Sequence, residues 1–215
     1  MPTLFSQSTL KASIRETEDW WFDKTRNIRT RGNTSPAKTT EVVGDTAGSE
    51  IYAPVRVTNA RQALRDLPVA DAAEYTFLDL GSGKGRMLFV AAELPFRKIQ
   101  GVEFSTDLHH EAEANIQRFH HSSRRCANLE SVNANAADFV FPNDNLVVYL
   151  FNPFGPSVMT PMLHNLERSI AQCPRHVVIL LLWPVNSHLV AELPCMTLYR
   201  ETRRHHIYQT ASPTR

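Results

Sequence analysis

The chain has 215 residues, 42% of them apolar and 21% charged, with a formal net charge of +1 at neutral pH. This is the balance of a globular protein long enough for one substantial core, and it excludes a disordered chain, a fibrous repeat and any general need for a polyanionic partner such as nucleic acid. Cysteines at 126, 173 and 195 show no metal or disulfide spacing, which points to reduced thiols and an expected cytoplasmic location.

Residues 1 to about 50 are expected to be polar and irregular, with TRNIRTRGNTSPAKTT (residues 25–40) reading as loop. The start of the chain lacks a basic stretch followed by an apolar core, so no signal peptide is expected. DWWFDK, residues 19–24, carries two tryptophans and a phenylalanine that would be costly in water. Residues 1–54 are therefore expected to form an extension that packs on the domain. It would act as a lid anchored by Trp20, Trp21 and Tyr52, as a partner surface, or as plain core.

The domain proper, residues 55–215, opens with helical spacing at Val57, Ala60, Ala63, Leu64 and Leu67. Strands and helices then alternate: strand 76–80, helix 85–94, strand 98–103, helix 107–120, strands 129–133 and 146–151, helix 157–172 and strand 176–183. Such alternation implies a parallel sheet with helices on both faces. The longest apolar run, VVILLLW from Val177, is too short to span a bilayer, so no membrane partner is expected. After a short helix at 187–193, CMTLYRETRRHHIYQT reads as two strands joined by a polar turn. The expected fold is α/β: a doubly wound, Rossmann-like, mostly parallel sheet of seven strands with an antiparallel C-terminal hairpin.

The stretch FLDLGSGKGRML, residues 77–88, sets three glycines and a lysine after an apolar run. A P-loop would need glycine at 78 and a hydroxyl residue at 85, where Leu78 and Gly85 stand. The dinucleotide fingerprint accepts Gly81 and Gly83 but needs its third glycine at Arg86. What remains is D-x-G-x-G-x-G at a strand end, from Asp79 through Gly81, Ser82 and Gly83 to Gly85, with the backbone free to pass close to a ligand. IQGVEFS follows, and its Glu103 lies about twenty residues beyond the glycine turn, where a βαβ unit brings a carboxylate to ribose hydroxyls. Phe104 stands beside it.

These motifs resemble those of the class I S-adenosylmethionine-dependent methyltransferases, whose arrangement also has seven strands and a terminal hairpin. The resemblance covers about residues 55–210 and extends to uncharacterised bacterial members carrying DLGSGKGR and YLFNPFG. It implies S-adenosylmethionine as cofactor, with the glycine turn under its methionine part. ANAADFVFP, residues 134–142, resembles the family's third cofactor segment. That places Asn135 and Ala136 by the adenine, with Asn135 where the family more often has Asp and Asp138 as the alternative acceptor. LVVYLFNPFG, residues 146–155, occupies the place of the [DN]-P-P-[YFW] motif of amino-group methyltransferases, one proline short. There Asn152 would orient an acceptor amino group and Phe154 would wall it; Tyr52 would close over the cofactor.

The expected function is methyl transfer to an amino nitrogen of a protein or small molecule, with acceptor and oligomeric state left open. The alternatives are a non-catalytic binding subunit on a methyltransferase fold and a nicotinamide-dependent oxidoreductase. The latter lacks both the glycine spacing and a Tyr-x-x-x-Lys pair. Paired histidines at 109–110, 120–121 and 205–206 are adjacent in sequence and expected to point apart, so no metal site is expected. RFHHSSRR, residues 118–125, reads as a solvated helix end.

Overall fold

A computed structural model describes residues 7–32, 53–151 and 155–211. In chain order the elements are α1 (Gln7–Arg26), α2 (Val57–Arg65), β1 (Tyr75–Leu80), α3 (Arg86–Ala91), β2 (Lys98–Glu103), α4 (Thr106–Arg118), β3 (Leu129–Asn133), β4 (Asn145–Phe151), α5 (Pro156–Gln172), β5 (Val177–Leu182), α6 (Ser187–Ala191), β6 (Thr197–Glu201) and β7 (His205–Gln209). The seven strands run in the order β3-β2-β1-β4-β5-β7-β6. β1 to β5 are mutually parallel, and β7 runs antiparallel to both β5 and β6. The seven-stranded, mostly parallel sheet with its antiparallel hairpin is the architecture read from the sequence.

The central strands have to be apolar throughout, because helices cover both faces of the sheet. Every residue of β1 and β5 is buried. Alternate side chains serve two cores. Phe77, Tyr149 and Leu180 pack with α2 and α3 on one face. Leu78, Val148 and Ile179 pack with α5 on the other. The strand order reverses between β1, which leads outward to β2, and β4, which leads outward to β5. Ligands of open α/β sheets bind at that switch, beyond the carboxyl ends of the strands.

The N-terminal region departs from the expected irregular stretch, since α1 is helical over Gln7–Arg26. Its inward face explains why the sequence did not announce it. Phe22 and Ile28 join the α2–α3 core, but the other buried groups are Asp23, Arg26 and Thr30. Among the described side chains of α1, Phe22 is the one buried apolar group and sits among ions, which leaves little stripe to read. Trp20 and Trp21, expected as anchors, are instead 38% and 61% exposed. Asn27, at φ 57°, ends the helix in the left-handed conformation that asparagine tolerates.

The ionic face closes on Arg86, the first residue of α3, which is 1% exposed. Its guanidinium pairs with Asp19 at 2.8 Å and Asp23 at 3.5 Å, and donates to the Thr30 hydroxyl at 2.6 Å. Asp23 in turn accepts from the Thr30 hydroxyl and from the backbone N–H groups of Thr30 and Arg31. No helix among the described residues is long and apolar enough to cross a membrane. The three cysteines are free, with Cys126 buried.

Candidate functional site

The glycines of the β1–α3 turn are required by backbone conformation. Gly81, Gly83 and Gly85 have φ of 82°, 53° and 83°, a region that costs an L-residue with a Cβ roughly 1–2 kcal/mol each. The N–H groups of Gly81 and Ser82 both donate to the Val102 carbonyl, at 2.9 and 3.1 Å, fastening the turn to β2. Gly85 N–H closes it by donating to the Ser82 carbonyl at 2.9 Å. Arg86, standing where the third glycine of a dinucleotide fingerprint would be, turns its side chain away into the α1 ion cluster.

Gly101, in the middle of β2, is a site residue that motif reading passed over. A Cβ there would stand 2.6 Å from Ser82 Oγ and 2.8 Å from Ser82 Cβ, so the turn can rest on β2 only because residue 101 has no side chain. The available signal was a glycine inside a short buried strand. The Ser82 hydroxyl is buried and has no hydrogen-bond partner among the described residues.

Asp79 and Glu103, at the ends of β1 and β2, are each 3% exposed. Glu103 accepts from Gly83 N–H at 2.7 Å with one oxygen and from Ser105 N–H at 3.0 Å with the other. Burial raises the Glu103 carboxyl above its usual range, and the backbone N–H groups of Ser105, Gly83 and Phe104 hold it back. Asp79 is raised further, by burial first and then by the neighbouring Glu103 charge. Tyr149 sits opposite Asp79 in register, with its hydroxyl buried and unpartnered among the described residues.

Two asparagines hold the surrounding turns, and sequence reading singled out neither. The Asn133 amide donates to the Glu103 and Phe104 carbonyls, and its oxygen accepts from the Thr106 hydroxyl. Half-buried Phe104 is fixed in this way beside Glu103. Asn115, 1% exposed, donates to the Lys84 and Arg29 carbonyls and accepts from Arg29 N–H. It thereby ties the segment after α1 to the glycine turn.

Asn135 caps a turn of its own. Its amide oxygen accepts from Ala137 N–H at 3.0 Å, capping the short turn Ala136–Asp138. Ala136 is buried and Asp138 is exposed. Asn152, Phe154 and Tyr52 lie outside the described residues. Phe151, the last described residue of β4, ends at the same sheet edge as Gly81 and Glu103.

The histidines at 109 and 110 do not point apart as expected: their rings are 5.5 Å from each other. With Glu113 they form the one group of three possible metal ligands found among the described residues, their ligand atoms within 4.8 Å of one another. His109 Nδ1 is hydrogen-bonded with Ser131 Oγ at 2.8 Å, and its Nε2 lies 3.4 Å from Glu113. Both His110 and Glu113 are exposed there.

No protein-family model matches the chain, and no curated protein is similar to it in sequence. Solved structures do share its fold. A candidate methyltransferase of Escherichia coli superposes with a TM-score of 0.56 at 17% identity, over 84% of this chain and 99% of that one. A candidate RNA methyltransferase of Pyrococcus horikoshii gives 0.52 at 14%, over 82% and 94%. The ribosomal protein L11 methylase of Lactobacillus delbrueckii subsp. bulgaricus gives 0.51 at 14%, over 78% and 83%. What is shared at these identities is the fold.

Proposed function

We propose that the protein is an S-adenosylmethionine-dependent methyltransferase acting on an amino nitrogen. The observation that carries this reading is the union of the left-handed glycine turn with the Glu103 carboxylate at the switch edge of the sheet. The turn presents backbone rather than side chains to a ligand. Glu103, already gripped by two backbone N–H groups, has acceptor capacity left for the paired hydroxyls of a ribose. The unpartnered Ser82 hydroxyl adds a polar group to the same turn. Ala136 and Phe104 would wall the adenine, with Asn135 or Asp138 at its amino group.

When bound in the site formed by the glycine turn, Glu103, Phe104 and Ala136, the cofactor would supply a methyl group made electrophilic by its positive sulfur. The chain's own contribution is alignment and exclusion of water, which general experience values at several kcal/mol. Asn152 would accept from the acceptor amino group and aim its lone pair, and Phe154 would wall it. A nicotinamide cofactor is disfavoured because Arg86 fills the third-glycine position and is committed to α1.

The fold does not choose an acceptor: the neighbours' descriptions name a ribosomal protein in one case and RNA in another. The experiment is calorimetry of the full chain with S-adenosylhomocysteine, NAD and ATP, alongside mass spectrometry of any ligand retained through purification. Binding of S-adenosylhomocysteine alone is the expected result. Tight NAD or ATP binding without it would overturn the reading.

A further inference from the structure

Trp183 follows β5 at the carboxyl edge of the sheet, and its backbone is in the left-handed region at φ 50°. A bulky residue there is an outlier. The next residue is Pro184, which ordinarily pushes its predecessor to extended conformations. The geometry is held from both sides: Trp183 N–H donates to the Arg204 carbonyl at 2.9 Å, and Val185 N–H donates to the Trp183 carbonyl at 2.7 Å. A glycine would take this turn without strain. The position instead carries the largest side chain available, and leaves it 47% exposed, followed by Val185 at 69%. Packing alone gives no reason for a strained residue whose ring stays half in solvent. Strain of this kind concentrates where a side chain must be presented to a ligand.

The surroundings say which ligand. Leu182 stands opposite Phe151 of β4, which leads directly into Asn152. On its other side Leu182 stands opposite His205, the first residue of β7. The β6–β7 turn therefore lies at the same edge, and it exposes Arg203 and Arg204. The Arg204 side chain makes one hydrogen bond, to Asn59 at 3.3 Å, and the Arg203 side chain has no partner among the described residues. A flat, half-exposed indole whose backbone is bonded to a turn carrying two exposed arginines offers the chemistry that a base and its phosphate need. Bases stack on aromatic faces, and guanidinium pairs with phosphate oxygens in fork geometry.

We propose that Trp183 is a stacking platform for an unpaired nucleobase, with Arg203 and Arg204 holding the adjoining phosphates, so that the acceptor is single-stranded nucleic acid. As a statement about the acceptor this rests on the methyltransfer reading; as a statement about binding it does not. It also revises what the net charge of +1 suggested: the positive charge that matters is local to one turn. An acidic peptide would satisfy the arginines and leave the indole unused.

The test is fluorescence anisotropy of the full chain with a labelled single-stranded RNA of about twelve nucleotides, the DNA of the same sequence, and the corresponding duplex. Both single strands should bind more tightly than the duplex, and a preference for RNA over DNA would add the 2′-hydroxyl to the recognised groups. Trp183→Ala should weaken single-strand binding at least about tenfold, while Trp183→Phe, which keeps a stacking face, should stay within about threefold. Arg203→Glu should weaken binding and flatten its salt dependence. All three variants should keep wild-type affinity for S-adenosylhomocysteine. No single-strand binding at low salt, an unaffected Trp183→Ala variant, or equal competition by polyglutamate would overturn the proposal. Oligonucleotide binding that depends on Trp183 in a protein that does not bind S-adenosylhomocysteine would sink the methyltransfer reading and leave the platform standing.

Discussion

The backbone N–H of Gly83 donates to a carboxylate oxygen of Glu103 at 2.7 Å, across the gap between the β1–α3 turn and the end of β2. In the proposed site, ribose recognition and turn geometry would therefore depend on one side chain. Glu103→Ala should weaken S-adenosylhomocysteine binding by about 1–3 kcal/mol, the range for leaving buried polar groups unpaired. The loss has two sources, ligand hydroxyls and the released N–H groups of Gly83 and Ser105. Calorimetry measures the sum, and an unchanged affinity would remove Glu103 from the site.

The same carboxylate gives the site a pH dependence whose sign is fixed. Glu103 and Asp79 are both raised by burial. In the free protein the native state therefore holds more protons than the unfolded chain above the ordinary carboxylate range, and stability falls as pH rises through the raised values. A ligand that donates hydroxyls to ionised Glu103 lowers its pKa again. Binding should release protons and strengthen as pH rises through the free protein's value, then level off. Calorimetry in buffers of different ionisation enthalpy reads the released protons directly, and Glu103→Gln should abolish them. Proton uptake on binding would contradict the assignment.

The sheet was legible because its strands are short apolar runs separated by helix-length amphipathic segments, and each of the seven appears where the pattern placed it. Glu103 was legible because chain distance from the glycine turn translates into position on a βαβ unit. α1 was not, because among its described side chains the attachment rests on Asp19 and Asp23 meeting Arg86, with Phe22 the one buried apolar group. Gly101, Asn115 and Asn133 escaped for a different reason: each acts on a segment remote in sequence, and only the folded chain shows which carbonyl or side chain it meets. Trp183 was visible only as the last residue of an apolar run; its strained backbone has no signature in the sequence beyond the proline that follows.

Arg86 is the keystone of the N-terminal attachment. Removing one partner of a buried ion pair strands the other charge, at a cost of about 3–5 kcal/mol. Arg86→Met should fall in that range by urea unfolding. The combined change of Arg86→Met with Asp19→Leu and Asp23→Leu should recover part of the loss, because no unpaired charge is then left inside. A deletion running through residue 32 should resemble Arg86→Met in stability, since it takes Asp19, Asp23 and Thr30 away together. A deletion variant as stable as the full chain would show that the cluster contributes nothing net.

Gly101 and Ser82 should be energetically coupled. Gly101→Ala forces a Cβ to within 2.8 Å of Ser82 Cβ and 3.1 Å of Leu88 Cδ1. Overpacking of this size costs about 1–3 kcal/mol, and here it also displaces the turn, so S-adenosylhomocysteine affinity should drop with stability. Ser82→Gly removes the nearest obstruction. The double variant should be less destabilised than the sum of the two single ones, and a thermodynamic cycle from denaturant unfolding reads the coupling. Strict additivity would mean that the turn does not rest on β2 through this contact.

Asn152 bears the proposed role in transfer itself. It follows Phe151, and β4 lies between β1, which feeds the glycine turn, and β5, which feeds Trp183. In the proposed role its amide oxygen would accept from the acceptor amino group and hold the lone pair toward the methyl carbon. The role is one of orientation, so the variant should lose rate and not cofactor binding. Asn152→Ala should lower the transfer rate by about a hundredfold, the scale on which a misplaced reactant slows an aligned reaction, with S-adenosylhomocysteine affinity kept. Single-turnover assays on a single-stranded RNA acceptor, followed by mass spectrometry of the product nucleosides, measure both the rate and the methylated atom. An unchanged rate in the variant, or a product methylated on oxygen, would refute the assignment of Asn152 and with it the amino-nitrogen acceptor.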